Sequence, residues 1–276
     1  MKKIEKEKFV DTVVLLCKEA NYNLPLSIVK ALIRARENET DERPREVLSI
    51  LIENARIAHD KKIPICQDTG VVSVFLEIGR ELIIDFDIYS AVQEGVKKGY
   101  KEGCLRASIV FSPFNRTNTG DNTPAIVYTE FVNEDNIKIL LIAKGAGSEN
   151  QGGVFMLKPH EQEKIPDIVV DYIKDKAPYA CPPIIVGIGI GGDMERSCFL
   201  SKKALTREFL NPDKEIAELE NSLLSRINRL GIGPGGLSGK TTALAVRIET
   251  HPCHIGSLPM AINIGCYATR YKKAIL

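Results

Sequence analysis

The sequence predicts a mixed α/β fold on two observations. Apolar residues recur at helical spacing through the first 60 positions, and after Gly70 short β-rich runs alternate with amphipathic helical stretches. A helical N-terminal part over 1–60 and a mixed α/β part over 61–276 are expected to form one compact unit, because no repeat, low-complexity tract or linker separates them. With 276 residues, 44% of them hydrophobic, the chain can bury a core without disulfide or metal staples.

The first three helices are expected over residues 6–20, 25–37 and 44–60, with Pro25 and Pro44 in first turns, where a missing N–H costs nothing. In the first, Phe9, Val10, Val13, Val14 and Cys17 share a face, so Cys17 reads as a small core residue. The runs VVSVFLEI, AIVYTEFV and IKILLIAKG read as strands, with a helix near 88–102 between the first two. Further helices are expected near 160–176, 196–209 and 215–230. IIVGIGI, TTALAVRIE and the apolar stretch after Pro259 supply the remaining strands.

The charge balance, 37 basic against 36 acidic residues, gives no field that would attract nucleic acid or an anionic membrane. A small anion would need only local Arg and Lys. The apolar positions of the N-terminus, MKKIEKEKFVDTVVLLCKEA, are broken by Asp11, Lys18 and Glu19, and no small-residue cleavage site follows, so it reads as an amphipathic helix and not a signal peptide. No apolar run approaches the roughly 20 residues a bilayer span needs. Seven cysteines, an odd number without a small secreted pattern, point to a reducing cytoplasm and to thiols used singly or on a metal.

Two glycine-rich segments resemble nucleotide motifs. Gly187, Gly189 and Gly192 satisfy GxGxxG, but Pro182-Pro183 is a poor lead-in and residues 187–190 read as strand interior, which argues against a dinucleotide fingerprint. In Gly235-Gly236-Leu237-Ser238-Gly239-Lys240-Thr241-Thr242 the first glycine that a Walker loop requires is replaced by Pro234. Two readings stay open there: an anion-binding rim using backbone amides and Lys240, or a glycine-rich turn leading into a strand.

Three cysteines sit where Gly or Pro turns the chain: Cys66 in PICQDTG, Cys181 before Pro182-Pro183, and Cys266 between Gly265 and Tyr267-Ala268-Thr269-Arg270. Their wide separation excludes CxxC-type zinc or ferredoxin spacing. Spacing alone would make them buried thiols; their neighbours point elsewhere.

CQDTG at 66–70, AKGAGSEN at 143–150, ACPP at 180–183 with IGIGG after it, and HIGSLPMAINIGC at 254–266 occur in one order along the chain. With these motifs the sequence resembles the class I fumarase and L-tartrate dehydratase family of iron–sulfur hydro-lyases, from about residue 44 onward. The resemblance implies a [4Fe–4S] cluster on Cys66, Cys181 and Cys266 with one iron lacking a protein ligand, able to act as a Lewis acid. It implies substrate binding by Gln67, Asp68, Arg106 and the backbone amide of Gly147; a guanidinium suits a carboxylate, and a glycine-rich turn can aim amides at an anion. Without the family, Arg106 would read as a surface helix residue. His254 matches a family histidine and, with Asp68, is the candidate for moving a proton. His251 reads as a turn residue, and Cys104, Cys198 and Cys253 as incidental.

Eliminating water also needs a base at the neighbouring carbon, and no residue here presents itself. In the family a second domain or a separate β subunit supplies it. The resemblance therefore implies an α subunit whose partner is a β subunit, assembled as a dimer of αβ pairs. The expected substrate is a small dicarboxylate, fumarate and (S)-malate first and L-tartrate second. A nucleotide-binding protein built on the GGLSGKTT loop is the reading of another class.

Overall fold

The computed structural model describes residues 2–208 and 210–276. In chain order its elements are β1 (Lys2–Lys3), α1 (Lys6–Tyr22), α2 (Leu26–Asn38), α3 (Glu42–Lys61), β2 (Val71–Gly79), β3 (Leu82–Ile83), α4 (Ile88–Glu102), β4 (Ile126–Val132) and β5 (Ile137–Lys144). There follow α5 (Ala146–Glu149), β6 (Gly153–Leu157), α6 (Ile165–Lys176), β7 (Ile184–Gly192), α7 (Met194–Ala204), α8 (Lys214–Asn228), β8 (Ala243–Cys253), β9 (Leu258–Gly265) and β10 (Arg270–Ile275). The α/β class is as expected. The helix expected to run to 209 ends at Ala204, and Phe209 lies outside the described residues. The 160–176 helix begins late, because Pro159–Lys164 forms a tighter 3₁₀ turn before α6.

The chain divides into two compact units, neither of them one continuous segment. The first comprises 1–25, 54–146 and 270–276; the second comprises 26–53 and 147–269.

In the first unit the sheet order is β10-β5-β2-β4, with β2 parallel to β4 and the other neighbours antiparallel. One face of the sheet packs with α1 and α4 in a core that includes Phe9, Val13, Val74, Leu76, Val92, Val96, Ile139 and Leu141. Fully burying one such side chain contributes about 1.5–3 kcal/mol. The two helices approach closely because α4 carries Gly95 and Gly99 at helical i, i+4 spacing. A Cβ at these positions would meet Val13 Cβ at 2.6 Å and Cys17 Cβ at 2.9 Å. Cys17 is fully buried, as its helical position implied, and burial pushes its thiol far above the ordinary range. Asp87 caps α4 by accepting from the backbone N–H groups of Tyr89 and Ser90.

In the second unit the sheet order is β6-β9-β7-β8, with β7 and β8 parallel. Strand alternation explains GIGIGG. Val186 and Ile188 point into a core with Val169, Ile173, Leu223 and Ile227 from α6 and α8, while Gly187 and Gly189 face α7. A Cβ on Gly187 would stand 2.2 Å from the Ser201 carbonyl oxygen, and one on Gly189 2.1 Å from that of Ser197. These glycines are strand interior, used for close helix packing.

Candidate functional site

The loop after α3 carries Cys66, Gln67 and Asp68 and is fixed from below at Thr69 and Gly70. Gly70 adopts φ +80°, and a Cβ there would meet the Lys144 backbone at 2.7 Å, so only glycine closes this turn against β5. The buried Tyr100 hydroxyl lies 2.7 Å from the Thr69 carbonyl and 3.1 Å from that of Gly70, and Asn122 Nδ2 donates to the Gly70 carbonyl at 3.1 Å. Burial raises the Tyr100 phenol far above its usual range, keeping it a donor. Thr69 Oγ1 donates to the carbonyl of Arg106 at 2.8 Å, which sets the exposed Arg106 beside the same loop.

Asp68 is half-buried and held on both oxygens. Gly70 N–H donates to Oδ1 at 3.0 Å and Ala146 N–H to Oδ2 at 2.8 Å. Cys66 Sγ lies 3.6 Å from Gln67 Oε1, and Gln67 is exposed. The first unit thus gathers Cys66, Gln67, Asp68 and Arg106 around one loop.

The second unit carries the other candidates. Cys181 is exposed, with φ +52°, a left-handed conformation uncommon for a residue with a Cβ. Cys266 follows β9 in a turn whose carbonyl accepts from Thr269 N–H at 3.0 Å and Thr269 Oγ1 at 2.7 Å. Tyr267 N–H lies 3.4 Å from the Cys181 carbonyl, so the Cys181 and Cys266 backbones adjoin. Gly147, in α5, is exposed with open space where a Cβ would stand. His254, exposed in the turn after β8, accepts from Gly256 N–H through Nδ1 at 3.0 Å, which puts the proton of the neutral ring on Nε2. It borders a shallow open depression of about 550 Å³ with Asp193, Arg196, His251 and Cys253.

All seven cysteines stand outside disulfides. Cys66, Cys181 and Cys266 are at least partly accessible at chain turns; Cys104 and Cys253 are exposed as well, Cys198 is partly accessible with its thiol raised by burial, and Cys17 is sealed. Among the described residues, no three His, Cys, Asp or Glu side chains crowd together as a single-ion site within either unit. A four-iron cluster takes each thiolate on a different iron, so it does not need the close grouping of a single-ion site.

The GGLSGKTT segment does not form a phosphate loop. Lys240 N–H donates to the buried Glu39 carboxylate at 2.7 Å, Lys240 Nζ lies 3.3 Å from the Asn38 carbonyl, and strand β8 follows where a Walker loop needs a helix. A carboxylate already occupies the position an anion would take.

Sequence reasoning missed Tyr100, Asn122 and the Glu149–Lys202 ion pair of 2.7 Å, which holds the end of GSE at 147–149. Asn122 sits in NTGDN at φ +61°, and a turn-forming Asn run was the available signal.

A family model described as fumarate hydratase (Fumerase) matches residues 10–275, and the chain belongs to that family, which joins class I fumarate hydratases with L-tartrate dehydratase α subunits. Among its relatives, "Putative L(+)-tartrate dehydratase subunit alpha" of Methanocaldococcus jannaschii is 43% identical over 274 residues, 95% of each chain. The L(+)-tartrate dehydratase subunit alpha of Escherichia coli K12 is 31% identical over 254 residues, 90% of this chain and 84% of the relative. The subunit of the same name in Shigella boydii matches to the same extent. No helix among the described residues is long and apolar enough to cross a membrane.

Proposed function

We propose that this chain is the α subunit of a two-subunit hydro-lyase that adds water to fumarate, giving (S)-malate, and removes it in reverse. The observation that carries the reading is the joining of Cys66, Gln67 and Asp68 to Arg106 through the Thr69 hydrogen bond, within a chain of this family.

Cys66, Cys181 and Cys266 would hold a [4Fe–4S] cluster, which when bound supplies a Lewis-acidic iron for the substrate hydroxyl and carboxylate. The chain's own residues do the rest of its part. Arg106 offers paired N–H donors to a substrate carboxylate, and the Gly147 amide offers one more. Gln67 presents a neutral amide beside the first thiol. Asp68, fixed by two backbone amides, presents its carboxylate in one orientation, so little entropy is lost when substrate arrives. His254, protonated on Nε2 when neutral, is the group that carries a proton to or from the departing hydroxyl. The base that takes the carbon-bound proton comes from a β subunit, a reading supported by relatives named as α subunits. A reducing cytoplasm fits the free cysteines, and a dimer of such αβ pairs is the assembly the family resemblance implies.

A second substrate, L-tartrate, is favoured by the names of those relatives; it presents the same carboxylates and a hydroxyl to the same donors. The test is anaerobic reconstitution of iron and sulfide into the chain with a candidate β subunit, followed by kcat/KM on fumarate, (S)-malate and L-tartrate. Fumarate hydration at least tenfold more efficient than tartrate dehydration supports the first reading, and the reverse ratio assigns tartrate. Turnover of neither by the iron-loaded pair overturns the hydro-lyase reading.

A further inference from the structure

Arg270 is 2% exposed, at the start of β10 and four positions after Cys266. Burying a guanidinium is costly unless its charge and its donors are used. Its Nη1 donates to Asn21 Oδ1 at 3.3 Å, and its Nε has no hydrogen-bond partner among the described residues. Asn21, also fully buried, is tied in turn to the Cys17 carbonyl at 2.9 Å, so the anchor is rigid.

What faces this cation is the candidate site. Gly145 has no Cβ; one placed there would stand 3.0 Å from Asp68 Oδ2 and 3.5 Å from Arg270 Nη2. Carboxylate and guanidinium therefore both border the small space above Gly145, without forming a direct pair. Both charges reach Tyr100, whose hydroxyl supports the same loop, and they act on it in opposite senses.

The geometry points to Arg270 as a positioning residue for Asp68: its anchored charge draws the carboxylate toward Gly145 and so keeps Oδ2 on the Ala146 amide and Oδ1 on the Gly70 amide. The assignment rests on the reading of Asp68 as part of the substrate site. A guanidinium held by Asn21 but not paired to Asp68 attracts the carboxylate without withdrawing its lone pairs from use. A side chain at position 145 would fill the space between them, which gives the glycine of KGAG a physical reason.

The test uses Arg270→Met and Arg270→Lys, with Asn21→Ala as a variant that keeps the charge and removes its anchor. Amide hydrogen exchange by NMR on the chain is expected to quicken at least tenfold at Gly70 and Ala146 in Arg270→Met, with Leu140 and Leu141 in β5 unchanged. Lys is expected to recover part of the protection, and Asn21→Ala to lose part of it. In the iron-loaded complex with its β subunit, kcat/KM on the preferred dicarboxylate is expected to fall at least tenfold in Arg270→Met and less in Arg270→Lys.

Unchanged exchange at Gly70 and Ala146 in a folded variant overturns the proposal, as does acceleration no greater than that of β5, or an unchanged kcat/KM. If Arg270→Met does not fold, Asn21→Ala decides on the same criteria. If the wild-type complex turns over no dicarboxylate, that failure falls on the hydro-lyase reading, and the exchange measurement alone judges Arg270.

Discussion

Thr69 donates its hydroxyl hydrogen to the carbonyl of Arg106 at 2.8 Å, and so binds the loop that carries Cys66, Gln67 and Asp68 to the residue just beyond α4. Thr69 is almost fully buried, so its hydroxyl makes this bond from the protein interior to the exposed Arg106 segment.

Thr69→Val keeps the volume and removes the bond. Leaving the Arg106 carbonyl with only the long 3.5 Å contact from Ser108 Oγ costs about 1–3 kcal/mol and lets the guanidinium drift from the substrate carboxylate it is proposed to bind. In steady-state kinetics of the reconstituted complex, KM for the dicarboxylate is expected to rise about tenfold, with kcat changing less. An unchanged KM would show that Arg106 does not depend on this bond.

The three candidate ligands are set apart from the other thiols by the motifs that carry them and not by accessibility, since Cys104 and Cys253 are exposed as well. Cys66→Ser, Cys181→Ser and Cys266→Ser are each expected to lower iron and sulfide content after anaerobic reconstitution, whereas Cys104→Ser and Cys253→Ser retain it. Iron analysis beside the four-iron absorbance band reads the result. Full iron content in any of the first three removes that residue from the ligand set.

Gly189→Ala tests the packing of β7 against α7. The added Cβ would stand 2.1 Å from a backbone carbonyl, which cannot rotate away as a side chain end could. Overpacking of this kind costs about 1–3 kcal/mol, and more where backbone must move. A lower urea midpoint with an unchanged slope is the expected observation. Equal midpoints would mean that α7 shifts at little cost.

Alkaline pH should loosen the first unit. Cys17 and Tyr100 both have native pKa values raised by burial, so each favours the protonated, folded state. Their contribution is complete below the ordinary thiol value of 9.0 and is lost as pH rises above it, because the unfolded chain then releases protons that the folded chain keeps. Cys17→Ala removes the thiol's share, and the alkaline fall in stability is expected to begin nearer the ordinary tyrosine value of 10.0. Chemical denaturation between pH 7 and 11 measures it.

Glu39 accepts from Thr40 N–H at 2.9 Å, Asp41 N–H at 3.3 Å and Lys240 N–H at 2.7 Å. Glu39→Ala strands these amides and is expected to destabilise the chain by about 1–3 kcal/mol in urea denaturation. Calorimetric titration of the wild-type chain with Mg²⁺-ATP is expected to show no binding. Measurable affinity would restore the nucleotide reading of GGLSGKTT.

Much of this was legible in the residues themselves. Helical and strand periodicity located α1, α2, α3, α4, β2, β5 and β7 to within a few positions, because the faces they bury repeat at 3.6 or 2 residues. Cys17 declared itself as core by its helical face. The GxGxxG match dissolved into strand alternation for the same reason: glycine recurs every second residue where α7 must lie close.

The sequence by itself determined the α/β class, the family and the identity of the candidate thiols, since these depend on local pattern and on motifs that are contiguous in the chain. Only the tertiary structure decided that Glu39 fills the glycine-rich loop, that Tyr100 holds the Asp68 loop, and that Arg270 and Asp68 both border Gly145. Each joins residues far apart along the chain, 249 positions in the case of Arg270 and Asn21. No periodicity records such a contact; it exists because packing the two helices on the sheet of the first unit brings those positions to one buried point, where a buried donor left without an acceptor is costly.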